Sequence, residues 1–148
     1  MDAIIIVQGK IALFSLGKIF RRTIQKERLM VAPSLNEKAE ILELAKNFAT
    51  QRSFSRVIVA IDENDAEEPI NQKIRVELGK FLNVKILWAK PDFISEVFPA
   101  IKRRFHNNPN GMKKYVSIHL EELLEKYSTG SSINANSYLK EFNSLIVA

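Results

Sequence analysis

No cysteine occurs in the 148 residues, which excludes disulfides, thiolate metal sites and a cysteine nucleophile and fits a reducing, cytoplasmic setting. Histidine is scarce: only His106 and His119, both late in the chain, and no pair at i, i+4 that would suit zinc. Both read as exposed polar residues rather than catalytic bases. No apolar run approaches the roughly 18 residues a membrane span needs, so no membrane partner is expected. The start, Met1-Asp2-Ala3, lacks a charged n-region, and Ile4-Ile5-Ile6-Val7 is too short for the apolar core of a signal peptide. Glycine is sparse too, and no GxGxxG, GxxxxGK or GxSxG pattern occurs.

Hydrophobic residues make up 46% of the chain, enough at this length for one α/β domain with a real core. The net charge of +5 is unevenly spread. Lys10, Lys18, Arg21, Arg22, Lys26 and Arg28 face Glu27 alone, and Lys102, Arg103, Arg104, Lys113 and Lys114 form a second group with no acid between them. Acids gather instead at Asp62, Glu63, Asp65, Glu67 and Glu68, and at Glu121–Glu125. A basic surface with a localised acidic pocket suits a polyanion that is gripped and also meets a metal.

Hydrophobic periodicity orders the elements. Ala3–Val7 reads as a buried strand, closed by the Gln8-Gly9 turn. A helix runs from Lys10 to about Gln25 on Leu13, Leu16, Phe20 and Ile24. Leu29–Ala32 is a short second strand stopped by Pro33. Ser34-Leu35-Asn36-Glu37 has the spacing of a capping box, ahead of a helix on Ile41, Leu44, Ala45 and Phe48.

After the polar connection Thr50–Ser55, Val57–Ile61 is a β-branched strand that ends in the acid cluster. Pro69 suits a first helical turn, and Ile70, Ile74, Leu78, Phe81 and Leu82 form one face. Val84–Ala89 is a fourth strand. Asp92 can cap a helix bearing Ile94, Val97, Phe98, Ile101 and Phe105. This β-α alternation implies a parallel sheet of about four strands flanked by helices. His106–Gly111 reads as a loop. Val116, Leu120, Leu123, Leu124 and Tyr127 then mark a helix, Ser128–Asn136 a small-residue linker, and Tyr138, Phe142, Leu145 and Ile146 a terminal helix. This helical extension, about 112–148, packs on the sheet or on a protein partner.

Two strand ends carry the chemistry: Ile4-Ile5-Ile6-Val7-Gln8-Gly9-Lys10, and Val57-Ile58-Val59-Ala60-Ile61-Asp62-Glu63-Asn64-Asp65. Together they resemble the Toprim domain of topoisomerases, bacterial primases and related nucleases. In that family a first strand ends in Glu-Gly and a later one in Asp-x-Asp. The resemblance covers about Ala3 to Ala89, within a core of about 3–105. It implies Mg²⁺-dependent making or breaking of phosphodiester bonds, with a glutamate in proton transfer and aspartates on the metal. The glutamate position falls on Gln8, the first aspartate on Asp62, and the second on Asn64, or on Asp65 if the loop is one residue longer.

The departures shape the expectation. Gln8 is neutral and cannot act as a base, and Asn64 removes a charge from any metal site. On these residues a Toprim-like module that binds nucleic acid or assembles without catalysis comes first. The alternative is an enzyme on DNA or RNA in which Asp62 and Asp65, with Glu67, hold Mg²⁺ and Gln8 orients the substrate. A third reading is a regulator binding a nucleotide or phosphate at the Gln8-Gly9 turn. For nucleic acid, Lys102, Arg103, Arg104, Lys113 and Lys114 would neutralise phosphates and Tyr115 would stack on a base.

Overall fold

The computed structural model describes residues 3–51 and 53–148. The leader reading at Met1-Asp2 and the place of Arg52 in the Thr50–Ser55 connection lie outside the described residues. Four parallel strands, β1 (Ala3–Val7), β2 (Met30–Val31), β3 (Arg56–Asp62) and β4 (Val84–Ala89), form one sheet in the order β2-β1-β3-β4. This is the α/β architecture expected from the alternation of apolar runs and helical faces.

The register explains why the central strands are almost wholly apolar. Ile5, Val7, Ile58 and Ala60 turn to one face of the sheet, and Ile4, Ile6, Val57, Val59 and Ile61 to the other, so each strand is covered twice. Each large aliphatic side chain so buried contributes roughly 1.5–3 kcal/mol relative to exposure. Helices α3 (Lys38–Thr50) and α4 (Pro69–Leu78) cover one face. The other is covered by α1 (Lys10–Ile19), α2 (Arg21–Lys26), α5 (Phe93–Val97), α6 (Pro99–Arg104), α7 (Pro109–Leu124), α8 (Gly130–Asn134) and α9 (Ser137–Val147).

The C-terminal helices use their apolar residues inside the chain itself. Tyr138, Leu139, Phe142 and Ile146 of α9 are buried in the sheet's own core, and the Phe142 ring lies 5.0 Å from that of Phe20. From β3, the Arg56 guanidinium donates to the carbonyls of Leu145 and Ile146. Of the two placements expected for the extension, packing on the sheet is the one adopted.

Several boundaries differ from the sequence reading, each for a local reason. The helix from Lys10 breaks at Phe20, whose backbone leaves helical angles while its ring enters the core. Ser34–Glu37 is not a capping box. Leu35 instead bridges Gln8 beside β1, so the chain stays extended until Lys38 and Glu37 makes no side-chain cap. Helix α4 ends at Leu78, and the turn after it leaves Leu82 95% exposed rather than on the apolar face.

Pro99 has no N–H to continue α5, so the expected single helix becomes α5 and α6. Pro109 opens α7, with the Asn108 side chain accepting from the Gly111 amide, so part of the expected 106–111 loop is helical. The 128–136 linker holds α8, started by a capping box between Thr129 and Ser132. Among the described residues no helix is long and apolar enough to cross a membrane.

Candidate functional site

A sheet ordered β2-β1-β3-β4 reverses its direction of winding between β1 and β3. In open α/β sheets the crevice outside the carboxyl ends at that reversal is the usual ligand site. The residues standing there are Gln8 and Asp62, which the sequence singles out.

Their geometry is that of a fastening. Gln8 Oε1 accepts the Asp62 amide hydrogen at 2.8 Å, and Gln8 Nε2 donates to the Asn36 carbonyl at 3.0 Å. The Gln8 amide also bonds the Ala60 carbonyl, and the Gly9 amide the Leu35 carbonyl. One side chain thus ties the end of β1 to the end of β3 and to the loop entering α3. Both ends of the carboxamide are needed, since a carboxylate has no hydrogen to give Asn36. Gly9, at φ 84, takes the turn that glycine tolerates, and its N–H already has a partner.

Asp62 is half-buried and accepts the Phe93 amide hydrogen on Oδ1 at 3.0 Å. Burial raises its pKa to about 6, with the nearby Asp92 carboxylate adding to the rise; the Phe93 amide, Lys38 and Lys113 oppose it. Asp92 behaves oppositely. Burial works against its charge, but hydrogen bonds from the Ser95 amide, the Ser95 hydroxyl and Lys102 outweigh it and hold its carboxyl below the ordinary value. Asp92 was legible only as a cap, which it is; its place beside Asp62 was not.

Two acids of the cluster after β3, Glu63 and Glu68, are paired with cations of the fold. Glu63 meets the Arg75 guanidinium at 3.0 Å, and that guanidinium also lies 4.3 Å from the centre of the Trp88 ring. Glu68 meets Lys38 at 3.2 Å. Asp65 turns back to accept the Glu67 amide at 3.0 Å, an Asx turn on an exposed loop. Glu67 is exposed.

Beneath the loop, the buried Lys38 ammonium reaches the Glu63 carbonyl, Glu68 Oε2 and Asn71 Oδ1 at 3.2, 3.2 and 2.8 Å. The buried Asn71 in turn donates to the Glu63 and Asp65 carbonyls. Lys38 and Asn71 were missed in the sequence. A lysine in a first helical turn and an asparagine in a polar helix face give no signal when their partners lie up to 33 residues away.

A magnesium ion needs several convergent oxygens. Among the described residues no group of three or more His, Asp or Glu side chains is arranged to hold a metal. The expected set of Asp62, Asp65 and Glu67 is divided between a half-buried strand end and an exposed loop turn. Gln8 is directed at two backbone groups. The residues present fit Mg²⁺ poorly.

The second basic group divides as well. Lys102 is bound to Asp92 at 3.2 Å. Arg103, Arg104, Lys113 and Lys114 are exposed at the end of α6 and the start of α7. Tyr115 is half-buried, with the rings of Phe105 and His119 at 5.4 and 4.5 Å and the Arg104 guanidinium at 5.1 Å from its centre.

No family model, curated protein or solved structure matches this chain. The functional reading therefore rests on the chain's own residues.

Proposed function

We propose that this chain is a non-catalytic, Toprim-like α/β module that binds the phosphate backbone of nucleic acid. The observation that carries the non-catalytic half is the Gln8 carboxamide, fixed between the Asp62 amide and the Asn36 carbonyl. A residue so engaged orients the strand ends rather than a substrate. The neighbouring carboxylates of Glu63 and Glu68 are paired with Arg75 and Lys38. Support for binding comes from Arg103, Arg104, Lys113 and Lys114, exposed together in a chain of net charge +5. Tyr115 acts in this reading as a support for Arg104 rather than as a stacking platform.

The non-catalytic half is tested by titrating Mg²⁺ and Mn²⁺ into wild type and Asp62→Ala while following amide shifts. Millimolar metal is expected to leave Gln8, Asp62 and Asp65 without specific shifts. Clustered shifts there, lost in Asp62→Ala, would return the chain to the Mg²⁺-dependent enzymes. One observation favours that second reading: a carboxyl with a pKa of about 6 at a sheet's carboxyl edge is tuned for proton transfer near neutrality.

A further inference from the structure

Strand β2 is one edge of the sheet, and among the described residues no strand lies beyond it. Ala32 directs its amide to the Ile5 carbonyl of β1, so Val31, one residue earlier, directs its N–H and C=O away from β1. Met30 and Val31 are also 41% and 36% exposed, large for apolar side chains on a strand. Beside this edge runs an open groove of about 450 Å³ lined by Leu13, Gly17, Arg21, Ile24, Val31 and Pro33.

Gly17 gives this groove its depth. It sits in the last turn of α1, and a Cβ built on it meets no atom within 4 Å. Nothing inside the fold asks for a glycine there. Its one structural consequence is the space it leaves in the groove.

Arg21 gives the groove a cationic rim, and the exposed Lys26 and Arg28 stand at the end of α2 and in the turn into β2, with Glu27 between them; Lys18 and Arg22 instead face α7, where Lys18 meets Glu121 at 4.0 Å. We propose that the free edge of β2 and its groove bind an extended acidic peptide segment of a partner protein by strand addition. Main-chain bonds to Val31 set the direction, an apolar side chain of the peptide enters beside Gly17, and its carboxylates meet the cationic rim. A second copy of this chain is disfavoured as occupant, because pairing two such edges brings the two basic rims together. Nucleic acid is disfavoured because it uses neither the outward amide of Val31 nor the apolar lining.

The test uses the full chain and a fluorescein-labelled peptide with a Thr-Val-Ile-Val-Thr centre flanked on each side by Glu-Asp. Controls carry Lys-Lys flanks or a proline at the central position. Binding at about 10–100 μM is expected, with amide shifts at Val31 and Ala32 and none for either control. Gly17→Leu is expected to weaken it about tenfold or more without lowering the thermal midpoint. Arg21→Glu, at an exposed position, is expected to do the same and decides the matter if Gly17→Leu does not fold. No binding at ~1 mM, equal binding of the Lys-flanked or proline peptide, or binding unchanged in both variants overturns the proposal. So does a chain that dimerises through this edge, or one whose Val31 amide responds to a DNA duplex and not to the peptide.

Discussion

Gln8 and Asp62 are joined through a side chain and a backbone amide, with Gln8 Oε1 accepting from Asp62 N–H at 2.8 Å. The bond spans the place in the sheet where winding reverses. The same carboxamide donates to Asn36, so the fastening has three anchors: two strand ends and the loop into α3.

Restoring the acid of the resembled family at this position is therefore expected to weaken the protein. Gln8→Glu loses the exposed bond to Asn36 and sets a carboxylate against its carbonyl, a cost of about 0.5–1.5 kcal/mol at neutral pH. A protonated glutamic acid can again donate, so the deficit should shrink near pH 4. Urea unfolding of both proteins at the two pH values measures this, and an unchanged midpoint at pH 7 contradicts it.

Asp62 makes stability depend on pH in a direction opposite to most carboxylates. Its folded pKa of about 6 lies above the ordinary value of 3.8, so the native state holds the proton more tightly. This contribution is fully present below pH ~4 and is lost as pH rises toward 6. Asp62→Asn keeps an oxygen for the Phe93 amide and removes the titration. It is expected to be more stable than wild type at pH 7 by roughly 1–3 kcal/mol and equal to it near pH 3. Thermal midpoints of the pair across pH 3–8 give the difference curve, which a stabilisation independent of pH would contradict.

Lys38 holds the loop after β3 from below. Lys38→Met leaves the Glu63 carbonyl, Glu68 and Asn71 short of a buried partner, with an expected loss of about 3 kcal/mol. Hydrogen exchange should quicken selectively at the Asn71 side-chain amide and at the backbone amides of 63–68. Exchange that rises evenly over the whole sheet contradicts a local role.

How far the sequence could be read follows from the range of each interaction. β1 and β3 were visible because a doubly covered strand needs an unbroken apolar run, β4 as an apolar run broken at the exposed Lys85 of an edge strand, and Pro69 and Asp92 act on their own helix starts. Helix breaks at Phe20 and Pro99 depend on where a ring or a missing N–H falls in the packed face. The acid cluster was the least legible part: Asp62, Asp65 and Glu67 are close in sequence, while the loop's partners Lys38, Arg75 and the Phe93 amide come from other elements. Gln8 stood out only against the resembled motif, and its two hydrogen-bond partners, Asn36 and Asp62, lie 28 and 54 residues away.

The most direct measurement is the salt dependence of binding to a labelled 20-base-pair DNA duplex and its RNA equivalent in EDTA. Wild type is compared with a variant carrying Arg103→Ala, Arg104→Ala, Lys113→Ala and Lys114→Ala. Metal-independent binding is expected, with affinity falling linearly in log salt. The slope should shrink by about 0.9 for each phosphate contact removed from DNA. No binding at low salt, a slope unchanged in the variant, or cleavage on adding Mg²⁺ that disappears in Asp62→Ala would contradict a non-catalytic module that grips the phosphate backbone.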